Sequence, residues 1–309
     1  MRSVEVSTRI DATAIAAVLD LIAHAEVVDG YRPASDQFMI DLHHDSNRDV
    51  IRARVLDSGS TVAYAQAALS AGRWSMESIV HPDHREHLAD TLRPLLDAVT
   101  QAIRSRTTAA ALELSWLVFA PSKQHTDVAA NMNLLAHRRL YQMYRSLPTN
   151  VTFDVTTRPF EPGVDDLDWL RVNQRAFEWN PDQGSWTHES LRARIAEPWF
   201  DADGFLIHER DGRMAGFCWT KVHVLSPSPL GEIYVIAVDP DFHGLGLGRA
   251  LTLAGLDHLA RSGITMGMLF VDADNTAAVN LYDSLGFSVH RTDCLYQGTL
   301  VRGHNRGTT

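Results

Sequence analysis

The stretch that decides the fold is VDPDFHGLGLGR, residues 238–249. A strand-like run, GEIYVIAV, leads into it, and helical apolar spacing follows from Gly248 to Arg261. Gly244, Gly246 and Gly248 let backbone amides approach a ligand with no side chain in the way. The helix start adds unpaired N–H groups and the positive end of its dipole. Together these make an anion site suited to a pyrophosphate, and Arg249 adds charge. A dinucleotide-binding loop of the Rossmann kind would follow the first strand of a parallel βαβ unit. Here two antiparallel-looking strands, GFLIHER and RMAGFCWTKVHV, precede the loop and meet at the turn Asp211-Gly212. A Walker loop would need Gly-Lys-Ser/Thr, which this stretch lacks.

Outward from the loop, the second half reads as a mixed succession. VTFDVTTRPF is expected as a strand, with helical segments around residues 164–177 and 187–197. TMGMLFVDA reads as a strand, Asn275 to Ser284 as a short helix and FSVHRTDCLY as a last strand. The first half follows a similar order. Asp11 is placed to cap a helix running to about Val28, with Gly30 as its stop, and Ser35 to cap a shorter one. DVIRARVL and STVAYAQAAL read as strands joined at Asp57-Ser58-Gly59, and WSMESIV as another. Leu88, Leu92, Leu95, Leu96, Val99 and Ile103 carry helical spacing across Pro94, and ALELSWLVF is again a strand. Val80-His81-Pro82-Asp83 matches Val238-Asp239-Pro240-Asp241, each after a strand and before a helix. A repeat at half the chain length implies duplication. The expected architecture is α/β, in the α+β sense with mixed sheets, as two tandem domains at 1–148 and 149–309. Ser146-Leu147-Pro148-Thr149-Asn150 is the expected linker.

The bulk figures agree with two globular domains in 309 residues. The net charge of -10 argues against a nucleic-acid partner. No stretch reaches the ~18 consecutive apolar residues of a membrane span. The N-terminal residues lack a basic region followed by an apolar one, so a cytoplasmic protein is expected. Cys218 and Cys294 are too few for a disulfide framework, and Cys218 reads as a buried thiol. His81, His84 and His87 recur at threes, but without a fourth ligand they read as a solvated helix start, and no metal is expected.

The loop and its setting resemble the GCN5-related N-acetyltransferase superfamily, whose loop pattern is Gln/Arg-x-x-Gly-x-Gly/Ala. Gly246 and Gly248 match it, and His243 stands where Gln or Arg is usual. The run from Asn275 to Phe287 resembles a second motif, N-x-x-A-x-x-x-Y-x-x-x-G-F, through Asn275, Ala278, Tyr282, Gly286 and Phe287. Residues 180–186, 219–223 and 231–235 extend the likeness to a tandem-domain family within that superfamily, the mycothiol synthases of actinobacteria. The likeness covers the second half well and the first half weakly. It implies acetyl transfer from acetyl-CoA to the cysteinyl amine of cysteinyl-glucosaminyl-inositol. A monomer is expected, with no metal, nucleic acid or membrane.

An ammonium cannot attack a thioester, so a base is needed, and Glu232 at the head of the loop strand is the candidate. In this superfamily a backbone N–H of that strand holds the oxyanion, which points to Ile236, Ala237 or Val238. Tyr282 stands where family members place a tyrosine near the leaving thiolate, and Tyr296 is a second candidate. CoA contacts are expected from Ile236 to Val238, from His243, Gly244, Leu245, Gly246, Leu247, Gly248 and Arg249, and from Asn275, Ala278 and Tyr282. The hydroxyl-rich, cationic acceptor suits Asp182, Lys221 and Glu232, with Phe270 beside them. By the resemblance, Asp36 reaches it from the first domain. Trp186 would stack on a sugar or fill the core. In the first half, Leu88 and Asp90 replace Gly246 and Gly248, and Asp90 would repel a pyrophosphate. That half is therefore expected to be degenerate, neither holding CoA nor catalysing. Two other functions fit the same motifs: acetylation of another small amine or peptide N-terminus, and a non-catalytic acetyl-CoA-binding module.

Overall fold

The computed structural model describes residues 2–43, 49–70, 72–107, 109–224 and 229–301, with backbone alone at 181, 182 and 301. The chain forms two compact units, Met1–Leu140 with Thr292–Thr309, and Tyr141–Arg291. These units differ from a linear cut at 148, because residues 292–301 of the C-terminal strand belong to the first of them. The chain leaves the first unit within β6 (Leu135–Ser146) and returns within β12 (Ser288–Val301).

The first unit opens with β1 (Arg2–Ser7), α1 (Ala12–Asp29) and α2 (Asp36–His43). Asp11 caps α1 by accepting from the Ala14 amide at 2.8 Å, and Gly30 closes it in the left-handed conformation. β2 (Val50–Asp57) and β3 (Ser60–Ser70) are joined by Ser58 and Gly59, both at positive φ. That is the two-residue turn whose twist suits a hairpin. β4 (Arg73–Val80) follows antiparallel to β3 and pairs parallel with β5 (Ala111–Val118). Between them α3 (Leu88–Ser105) buries Leu92, Leu95, Leu96, Val99 and Ile103 against the sheet, running unbroken through Pro94. Each such side chain stabilises the fold by about 1.5–3 kcal/mol. α4 (Lys123–Asn131) completes the unit, and residues 294–301 of β12 pair antiparallel with β5.

The second unit repeats the plan. β7 is only Arg158–Pro159, shorter than the strand expected over VTFDVTTRPF, and proline at its end offers no ladder donor. α5 (Asp166–Ala176), the short α6 (Pro181–Gly184) and α7 (His188–Ile195) lie between β7 and β8 (Phe205–Arg210). β8 turns through Asp211 and Gly212, at φ 53° and 71°, into β9 (Arg213–His223). β10 (Leu230–Val238) is antiparallel to β9 and parallel to β11 (Met266–Asp272), with α8 (Leu247–Arg261) between, then α9 (Thr276–Ser284). α8 lies so close to the sheet that a Cβ on Gly255 would stand 2.5 Å from Cys218 Sγ and 2.8 Å from Ile233 Cδ1. Cys218 and Cys294 are both buried free thiols. Among the described residues no helix is long and apolar enough to cross a membrane.

Candidate active site

β10 and β11 pair only at Gly231–Gly267, Glu232–Met268 and Ile233–Leu269. Beyond Ile233, β10 bulges against β9 and continues alone on its β11 side to Val238. Asp239 N donates to Ala215 O of β9 at 2.9 Å. Strand N–H groups alternate in direction, so Ala237 faces β9 while Ile236 and Val238 direct theirs to the open side.

The loop follows this open edge. Asp239 caps a short 3-10 turn, Pro240–Phe242, by accepting from the Asp241 amide at 3.0 Å. Its buried carboxylate also takes Arg171 Nη1 at 3.0 Å, while Arg175 and Arg213 grip Asp241 at 2.8 and 3.2 Å. Arg175 donates to Asp241 and holds its carboxyl below the usual carboxylate range. These arginines fix the loop, and their charge is already matched by carboxylates. His243 is exposed, with Nε2 3.0 Å from Val238 O, and so braces the loop on its own strand. Gly244 and Gly246 take φ of 80° and 74°, and Gly246 is the N-cap of α8. Side chains rarely adopt such angles, which is why glycine stands there. From Gly244 to Arg249 the backbone N–H groups have no hydrogen-bond acceptor among the described residues. They form a row of unused donors at a helix N-terminus, the arrangement that binds phosphate. Leu245 is half exposed over this row, Leu247 is buried beneath it, and Arg249 donates to Ser284 Oγ at 3.0 Å.

Asn275 caps α9, accepting from the Ala278 amide at 3.2 Å. That short helix carries Tyr282 into a cluster with Phe242, Leu247 and Phe287. The Tyr282 hydroxyl has no hydrogen-bond partner among the described residues, and burial raises it above the usual phenol range. Tyr296 belongs to the first unit, packs on Trp116 and shares a 2.9 Å hydrogen bond with Thr126. Asp36 is also in the first unit, at the start of α2, paired with Arg32 at 2.6 Å.

At the head of β10, Glu232 is 6% exposed. Its Oε2 lies 2.6 Å from His223 Nε2 on β9. Lys221, its partner across the ladder, is buried with its ammonium 4.1 Å from the Trp199 ring centre and 5.3 Å from that of Tyr234. Such cation–aromatic contacts stabilise a shielded ammonium. Tyr234 accepts from Arg194 Nε at 3.0 Å. Trp186, read as sugar platform or core, is core: it is buried beside Trp169 and covered by the Arg194 guanidinium at 3.8 Å. Phe270, one residue past the last β10–β11 pair, is 39% exposed with Arg291 5.9 Å above its ring. The side chain of Asp182 lies outside the described residues. The second unit thus assembles Glu232, Lys221, Phe270, Tyr282 and the whole loop. The sequence reading missed His223, although it quoted the strand that carries it, because a ladder diagonal is visible only once register is known.

The fold and this site define an acyl-CoA-type acetyltransferase. The acetyltransferase (GNAT) family model matches residues 170–287. A GCN5-related N-acetyltransferase from Sphaerobacter thermophilus superposes with TM-score 0.71 at 20% identity, covering 99% of this chain and 98% of that one. A tandem GNAT protein from the clavulanic acid biosynthesis pathway gives 0.72 at 16% identity, over 98% and 100%. Full coverage by a tandem protein agrees with the internal repeat. A mycothiol acetyltransferase from Thermomonospora curvata is 42% identical, covering 92% of this chain and 93% of its own length. One from Streptomyces griseus is 39% identical over 96% and 95%. The chain belongs to the mycothiol acetyltransferase family.

Proposed function

We propose that this enzyme transfers acetyl from acetyl-CoA to the cysteinyl amine of cysteinyl-glucosaminyl-inositol, giving mycothiol. The observation that carries the reading is the row of unpaired amides from Gly244 to Arg249, set at the end of a strand whose head bears Glu232. The amides suit the CoA pyrophosphate, and the parted edge of β10 suits the pantetheine arm as an added strand.

Glu232 takes a proton from the acceptor ammonium, and the freed amine attacks the thioester carbon. The carbonyl oxygen gains negative charge, which the outward N–H groups of Ile236 and Val238 stabilise. The C–S bond then breaks, and the thiolate takes a proton from Tyr282, whose burial keeps it protonated at neutral pH. The second proton of the attacking nitrogen leaves as the amide forms and restores the Tyr282 hydroxyl. Lys221, Phe270 and Asp182 contact the acceptor, and Asn275 and Ala278 set the helix that carries Tyr282. The first unit neither binds CoA nor catalyses in this proposal.

The test is acetyl transfer to cysteinyl-glucosaminyl-inositol, read by free CoA thiol and product mass, beside spermidine, an aminoglycoside and a peptide. The expected result is a strong preference for the first acceptor. Equal or better turnover of another amine would overturn the acceptor, and CoA binding with no turnover on any amine would overturn the enzyme.

A further inference from the structure

Glu232 makes one side-chain hydrogen bond among the described residues, from His223 Nε2 to its Oε2 at 2.6 Å. The two side chains are 7% and 17% exposed, so the contact is largely shielded from water. They are not direct partners: Glu232 faces Lys221 and His223 faces Leu230, which makes His223 the diagonal neighbour on the same sheet face. A carboxylate can only accept, so the imidazole donates through Nε2–H. Lys221 packs its ammonium on Trp199 and Tyr234. Tyr144 of β6 interacts electrostatically with both Glu232 and Arg291 of β12.

We propose that His223 is a positioning residue for the base. It pins one carboxylate oxygen of Glu232 and leaves the other to meet the acceptor ammonium. A glutamate side chain has three rotatable bonds, and a shielded, charge-assisted hydrogen bond selects one arrangement. The inference rests on the reading of Glu232 as general base.

The experiment compares wild type, His223→Ala, His223→Gln and Glu232→Gln in kcat and both KM values. His223→Ala should lower kcat roughly 10- to 100-fold with acetyl-CoA KM unchanged, as expected when a catalytic group loses its orientation. His223→Gln, whose amide N–H stands at a similar reach, should recover most of the rate. Unaltered CoA binding in each variant shows that the unit is folded. Wild-type kcat in His223→Ala overturns the positioning role. So does equal loss in the Ala and Gln variants. If Glu232→Gln keeps full kcat, the base reading itself falls. If Glu232→Gln loses activity while His223→Ala does not, only the positioning role falls.

Discussion

Val80-His81-Pro82-Asp83 and Val238-Asp239-Pro240-Asp241 follow the same backbone path. His81 and Asp239 have φ/ψ of -53°/134° and -57°/134°, and each caps a 3-10 turn by accepting from the amide two residues on. Both turns leave a strand that is antiparallel on one side and parallel on the other. The paths then part. In the second unit two left-handed glycines lift the chain into α8 and leave its first amides unused. In the first unit no glycine follows, Leu88 turns into the core, and the Ala89 amide is taken by Gln124 Oε1 at 3.1 Å. Asp90 adds a negative charge to that helix start. The parted strands differ as well. Trp116, fully buried on β5, donates from its indole to Ser78 Oγ, one residue past the last β4–β5 pair, at 3.1 Å. Phe270, on the second unit's parallel strand, leaves 39% of its surface open. One scaffold thus leaves a row of unused amides in one corner and closes the other, and a few residues decide which.

Perturbations of each corner sharpen this contrast. The largest effect is expected from Glu232→Gln, which should lower kcat by roughly 10²- to 10⁴-fold, the usual worth of a general base. Acetyl-CoA affinity, measured by calorimetry, should stay as in wild type. Next is Gly246→Leu, which copies Leu88 into the working corner. A leucine there must adopt φ near 74°. We expect the acetyl-CoA Kd to rise at least about tenfold, since strain of roughly 1–3 kcal/mol enters the loop. Trp116→Ala should destabilise the first unit by about 3–5 kcal/mol in denaturant unfolding, as for other large buried aromatics. It should leave the acetyl-CoA KM unchanged; a changed KM would mean that the first corner takes part in binding. The smallest effect belongs to Tyr282→Phe. A thiolate leaves readily on its own, so a fall in kcat of only a few-fold is expected at neutral pH, and a fall near a hundredfold would make the proton obligatory.

Much of this was legible in the sequence because it is local. The hairpins at Ser58-Gly59 and Asp211-Gly212, the caps at Asp11 and Asn275, and the glycine loop each follow from a few adjacent residues. The apolar spacing of α3 was readable across Pro94, since tertiary burial outweighs one missing backbone donor. What stayed hidden depends on contacts distant in sequence. Nothing near residue 116 announces that its indole meets Ser78, and nothing near 223 announces a bond to Glu232. The anchoring of the loop by Arg171, Arg175 and Arg213 was equally invisible, because it joins α5 and β9 to the turn after β10. The hydrogen bond that Tyr296 shares with Thr126 was likewise invisible, because it joins β12 to α4.

The asymmetry between the two corners is tested most directly by calorimetric titration of the full chain with acetyl-CoA, repeated on Gly246→Leu. The account predicts one site per chain in the wild type and its loss or marked weakening in the variant. Two sites of comparable affinity, or one that persists unchanged in Gly246→Leu, would contradict it.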